Sequence, residues 1–114
     1  MKNLKVRLST PSVDNLELEK IKGILKNSWL GYGPNVEKFE NAWSNYFGVK
    51  YSIALNSCTA ALHLSLAVNN FKKNKKVLVP AMTFSASAAS VLYCGLMPVF
   101  VDIDPKTLVM NFED

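Results

Sequence analysis

Apolar residues return every three or four positions in the first part of the chain, then gather into short continuous runs from about residue 51. Leu18, Ile21 and Leu25 recur at helical spacing and predict a first helix running to Trp29. Pro11-Ser12-Val13-Asp14 leads into it, with Asp14 as the N-cap and Glu17 at the N3 position of a capping box. Gly31-Tyr32-Gly33-Pro34 interrupts the helical pattern as a turn. A second helix is expected from about Asn35, with Val36, Phe39, Trp43, Tyr46 and Phe47 on one face and Gly48 as the C′ residue. Its aromatic stripe reads as a core face.

Beyond residue 50 the pattern predicts a strand at 51–55, a helix at 58–69, a strand at 76–79, a helix at 85–94 and a strand at 97–103. Each strand is a short, continuous and mainly apolar run, as expected when both faces are covered. Gly95 stops the helix before the last strand. Alternating strands and helices on short connections imply an α/β layered sheet, mostly parallel, with right-handed crossovers. Ligands of such sheets gather beyond the carboxyl ends of the strands. The chain therefore divides into an N-terminal helical segment, 1–50, and the start of a larger α/β domain, 51–114. Asp104-Pro105-Lys106-Thr107 reads as a turn, and Leu108-Val109-Met110-Asn111-Phe112 as the opening of a further element, so the chain reads as the front part of a longer protein.

Composition narrows this only a little. The 114 residues are 49% hydrophobic and 19% charged, which places them among globular chains. No apolar run reaches the roughly 20 residues of a membrane span, and Met1-Lys2-Asn3-Leu4-Lys5 lacks the apolar stretch of a signal peptide. The net charge of +4 is concentrated in Lys72-Lys73-Asn74-Lys75-Lys76, with no aromatic residues interleaved, so it reads as a solvated connection rather than a nucleic-acid surface. Cys58 and Cys94 stand singly, which fits a reduced, cytoplasmic setting.

Two turns carry chemistry. Asn56-Ser57-Cys58-Thr59 joins the first strand to an Ala/Leu helix, placing uncommitted N–H groups and the Ser57 and Thr59 hydroxyls at a helix N-terminus. The partial positive charge there suits a phosphate monoester. In the next strand-to-helix turn, Ala81-Met82-Thr83-Phe84-Ser85, stands the aromatic ring of Phe84. A phosphate cradle and a flat ring on neighbouring turns suit a phosphorylated aromatic cofactor. The other candidates are weaker. Gly31-x-Gly33 follows a helix and lacks the third glycine of a dinucleotide loop. His63 has no ligand-spaced partners, so no metal site is assigned. Asp102 and Asp104 read as turn and capping residues rather than as a catalytic pair.

Taken in order, these segments resemble the DegT/DnrJ/EryC1/StrS family of pyridoxal-phosphate aminotransferases. The resemblance runs from Leu8-Ser9-Thr10-Pro11 through Trp29-Leu30-Gly31-Tyr32-Gly33-Pro34 with Phe39-Glu40, then Asn56-Ser57-Cys58-Thr59-Ala60-Ala61-Leu62. It continues over Val79-Pro80-Ala81-Met82-Thr83-Phe84 and Gly95 to Asp104-Pro105. The family's usual residue at position 58 is glycine, and cysteine stands there in this chain. The resemblance implies part of a three-layer sandwich, the beginning of the large domain of a fold type I enzyme. It implies that Ser57, Cys58 and Thr59 hold the phosphate of pyridoxal 5′-phosphate and that Phe84 stacks on its ring. It also implies that the loop bearing Trp29, Gly31, Tyr32 and Gly33 approaches substrate, often in the neighbouring subunit of a homodimer. The implied reaction transfers an amino group, commonly from glutamate, to a nucleotide-linked keto-sugar.

In this family the cofactor-bearing lysine comes after the region matched, and neither Lys72 to Lys76 nor Lys106 has a counterpart there. No residue is therefore assigned a catalytic role, and these 114 residues alone are expected to be inactive and to fold poorly. Three alternatives stay open: a non-catalytic remnant or interaction module, a sugar dehydratase of the same family, and a simple nucleotide-binding βαβ domain.

Overall fold

The computed structural model describes residues 9–27 and 29–111. Met1 to Leu8 and Phe112 fall outside the described residues, with the start of the matching segment and the end of the last apolar run. The chain forms two compact units, the first ending at Ile53 and the second beginning at Ala54.

The first unit holds helix α1 (Asn15–Lys26) and helix α2 (Pro34–Phe47). The capping box forms as expected. The Asp14 carboxylate accepts the Leu16 N–H at 2.7 Å, and the Glu17 carboxylate accepts the Asp14 N–H at 2.9 Å. Helix α1 stops at Lys26, a turn earlier than its apolar spacing suggested, and Asn27 closes it with N–H bonds to the Gly23 and Ile24 carbonyls. Trp29 belongs to the following loop instead. Pro34 starts α2 in the first turn, where its missing N–H has no intrahelical partner to lose. Gly48 ends it at φ +65°, a left-handed conformation that glycine adopts without a Cβ penalty.

The aromatic stripe on α2 differs from expectation. Phe39, Trp43 and Phe47 do stack along the helix, with ring centroids 5.7 and 4.8 Å apart. They form no core, however: Trp43 is 50% exposed and Tyr46 83%. A helix face is buried only by another element, and among the described residues α1 and α2 do not pack on each other.

The second unit contains α3 (Cys58–Ala67), β1 (Lys76–Pro80), α4 (Ala86–Tyr93) and β2 (Met97–Val101). Strands β1 and β2 pair in parallel, from Lys76 opposite Met97 to Pro80 opposite Val101, with α4 as the crossover between them. This is the α/β arrangement expected, here with a two-stranded sheet. Val79, Val91 and Leu96 form the core, flanked by Leu66, Val77, Ala88 and Cys94. Ser90 is buried beside them with its hydroxyl donating to the Ser87 carbonyl at 3.0 Å, so its burial leaves no orphan. Leu78, which points away from the Val77 and Val79 face, is half exposed.

The predicted strand at 51–55 does not form. Tyr51 and Ile53 are largely exposed, and the division between the two units falls inside this run. An apolar run becomes a strand only as part of a ladder, and among the described residues the one sheet pairs β1 with β2 alone. Strand β2 also ends two residues early, with Ile103 instead bridging antiparallel to Met110. The lysine run lies exposed between α3 and β1, as its composition implied.

Candidate functional site

Ser57 stands at the N-cap of α3 in extended conformation, and its hydroxyl oxygen accepts the Ala60 N–H at 3.2 Å. The Ser57 carbonyl takes the Ala61 N–H at 3.2 Å. The N–H groups of Cys58 and Thr59 precede the first intrahelical bond, so helix geometry leaves them pointing out of the end. No acidic residue occupies the first turn of α3, and the positive end of the helix is not neutralised from within. Thr59 is half-buried, while Ser57 and Cys58 are exposed. The Ser57 hydroxyl donates to the Asn56 side-chain oxygen at 3.4 Å, so an oxyanion would meet two backbone N–H groups and the Thr59 hydroxyl, with no competing carboxylate in the first turn.

Phe84 lies in the same unit, on the turn between β1 and α4. Its ring is 77% exposed, so packing does not explain it. The turn itself is braced. Thr83 Oγ1 and Ser87 Oγ lie 2.9 Å apart, the Ser87 N–H donates to the Phe84 carbonyl, and the Ala81 N–H donates to the Val101 carbonyl. A ring held on a braced turn can offer a flat face to a planar ligand.

The other four candidates, Trp29, Gly31, Tyr32 and Gly33, belong to the first unit and form one loop. The Trp29 indole N–H donates to the Tyr32 carbonyl at 2.8 Å, closing the loop on itself. Gly33 is buried beneath that indole, and a Cβ there would collide with the indole Nε1 and lie 2.8 Å from its Cδ1. The Tyr32 hydroxyl donates to the Glu40 carboxylate at 2.9 Å. That bond, reinforced by the negative charges of Glu40 and Glu37, holds the phenol above its ordinary pKa. Between this loop and the ends of α1 and α2 lies a cleft of about 520 Å³, walled by Ile24, Trp29, Leu30, Pro34 and Val36, with Asn27 and Asn35 as its polar groups.

Glu40 received no role in the sequence reading beyond its place in the resembling segment. The usable signal was an acidic residue two helical turns after a tyrosine-bearing loop. The weaker candidates take part in local contacts. Asp104 accepts the Lys106 and Thr107 N–H groups, both at 2.8 Å, which hold its carboxyl below the usual value. Asp102 accepts the Ile103 N–H. His63 packs edge-on against Tyr93, and no metal-competent cluster exists among the described residues. Nor is any helix among them long and apolar enough to cross a membrane.

Known proteins resemble this chain along nearly its whole length. The model of the DegT/DnrJ/EryC1/StrS aminotransferase family matches residues 11–114. A GDP-perosamine synthase from Caulobacter vibrioides is 38% identical over 108 residues, 94% of this chain and 29% of that protein. A sugar aminotransferase from Streptococcus pneumoniae, solved in its PMP form, superposes with a TM-score of 0.87 at 33% identity, covering 95% of this chain and 27% of that one. A GDP-4-keto-6-deoxymannose-3-dehydratase, solved with PLP and glutamate, gives 0.85 at 29% identity, covering 94% and 29%. This chain thus spans under a third of the length of these relatives. Both solved relatives carry a form of the cofactor. Matched over nearly its whole length, the chain belongs to the DegT/DnrJ/EryC1/StrS aminotransferase family.

Proposed function

We propose that this chain supplies part of the cofactor site and the substrate loop of a pyridoxal-phosphate aminotransferase acting on a nucleotide-linked keto-sugar. The observation that carries this reading is the α3 N-terminus, with uncommitted Cys58 and Thr59 N–H groups and no first-turn acid, in the same unit as the exposed Phe84 ring. Ser57, Cys58 and Thr59 hold the cofactor phosphate, and Phe84 packs against its ring. Trp29, Gly31, Tyr32 and Gly33 contact substrate. Pyridoxal phosphate supplies the electron sink that lets an amino group pass between two carbonyl skeletons. No lysine in the exposed run 72–76, nor Lys106, is assigned the covalent hold on it, so transamination belongs to the whole protein. Glutamate is the proposed donor, supported by its presence with PLP in the solved dehydratase. Residues 1–50 act as a helical segment carrying the loop, and 51–114 as the start of the cofactor-binding domain, in a cytoplasmic homodimer.

That dehydratase also favours a second reading, in which the whole protein removes a sugar hydroxyl instead. The test is to incubate the whole protein with pyridoxal phosphate, glutamate and GDP-4-keto-6-deoxymannose, and to follow the sugar by NMR and mass spectrometry. An amino-sugar with stoichiometric 2-oxoglutarate supports the aminotransferase. Loss of water from the sugar supports the dehydratase, and failure to retain the cofactor overturns both.

A further inference from the structure

In the loop that carries Tyr32, two donors are already committed inside the protein: the Trp29 indole to the Tyr32 carbonyl, and the Tyr32 hydroxyl to Glu40. The second bond reaches from the loop to the second turn of α2, so it ties the Tyr32 side chain to a regular element, while the Gly33 carbonyl accepts the Val36 and Glu37 N–H groups of the first turn. Glu40 is half-buried on a helix, whereas Tyr32 is 63% exposed on the loop; the carboxylate is the fixed partner and the phenol the presented one. A phenol has one proton and two lone pairs. With the proton directed at a carboxylate, the oxygen can only accept from anything that arrives.

We propose that Glu40 is a positioning residue, which fixes the Tyr32 phenol and turns it into an acceptor for a hydroxyl or N–H donor of the substrate. An anionic group such as a phosphate cannot take the committed phenol proton and meets the Glu40 and Glu37 charges nearby. This inference rests on the reading that the Trp29–Gly33 loop contacts substrate, and it adds which kind of substrate group the loop takes.

The test uses the whole protein with its cofactor and the variants Glu40→Gln, Glu40→Ala, Tyr32→Phe and the double Tyr32→Phe/Glu40→Ala. The first readout needs no activity. Ultraviolet titration of the phenols, with Tyr32→Phe identifying the Tyr32 step, should show that step moving to lower pH in Glu40→Gln, where the acceptor remains but the charge is gone. The second readout is steady-state kinetics with GDP-4-keto-6-deoxymannose. Glu40→Ala and Tyr32→Phe should each raise KM about tenfold with kcat little changed, and the double variant should do no more than either alone. Glu40→Gln, still able to accept the phenol proton, should recover most of the loss. An unmoved Tyr32 step, or single effects that multiply in the double variant, would overturn the positioning role. If Tyr32→Phe leaves KM unchanged while Glu40→Gln still shifts the Tyr32 step, the substrate reading of the loop and the acceptor role fall, and the structural hold of Glu40 on Tyr32 stands.

Discussion

The loop at Trp29–Gly33 and the turn at Ser57–Thr59 use polar groups in opposite ways. In the loop, the indole N–H and the phenol O–H are both engaged within the chain, and Gly33 lets the indole close over the backbone. At the turn, the Ser57 hydroxyl accepts the Ala60 N–H and its carbonyl the Ala61 N–H, and the geometry of a helix start leaves the Cys58 and Thr59 donors outside. Internal bonds commit two of the loop's donors within the chain. Unanswered donors give the turn a charge preference and little else. Under the proposed function, the first would discriminate by shape and the second by sign.

The sharpest way to break that contrast is to change the sign at the turn without changing its fold. Aspartate caps a helix as well as serine, so Ser57→Asp should leave the helical circular dichroism and the melting temperature nearly unchanged. Placing a carboxylate against the phosphate should cost pyridoxal phosphate affinity about a hundredfold, measured by equilibrium dialysis of the whole protein. Retained affinity would mean that the phosphate sits elsewhere. For the loop, the corresponding change is one of shape. Gly33→Ala puts a methyl group into the Trp29 ring, and overpacking of this kind costs about 1–3 kcal/mol. Denaturant unfolding should register that loss, and the indole emission should shift toward the red as Trp29 is pushed into water. Backbone strain is not the cause, since Gly33 is extended at φ −177°.

Local rules were legible in the sequence because local bonds obey them. Asp14 and Glu17 close their box, Gly48 and Gly95 take positive φ, and Asp104 caps its turn. Each depends on residues within a few positions of one another. The misreadings share a different cause. Tyr51–Leu55 as a strand and the Phe39–Phe47 stripe as a core both need a partner surface that sequence pattern cannot supply. The family-implied site residues were legible as motif letters, but the bond from Tyr32 to Glu40 spans eight positions and a change from loop to helix. Only the backbone path brings that pair together.

A smaller effect separates the ring from the scaffold around it. Phe84 is so exposed that Phe84→Ala should alter stability by less than about 0.5 kcal/mol. Loss of its stacking should still weaken pyridoxal phosphate binding by about 0.5–1.5 kcal/mol, readable in the same dialysis. A substantial fall in stability would instead make Phe84 part of the fold.

The smallest expected effect compares the two units by acid. Asp104 is held below its ordinary value by the Thr107 and Lys106 N–H groups, and Asp14 by the Leu16 N–H and then Glu17. A carboxyl lowered on folding stabilises the folded state above its unfolded pKa, and that contribution is lost as pH falls through the folded value. Both bonds should therefore be intact at neutral pH and fail only below the ordinary carboxyl value of 3.8. NMR titration of the side-chain carboxyl carbons should place both midpoints below that value. Asp104→Asn keeps an acceptor for the Thr107 and Lys106 N–H groups, so it should preserve the Ile103–Met110 bridge while removing its acid sensitivity. If the bridge in the unsubstituted protein is equally protected at pH 2 and pH 6, the Asp104 carboxylate is not what holds that turn.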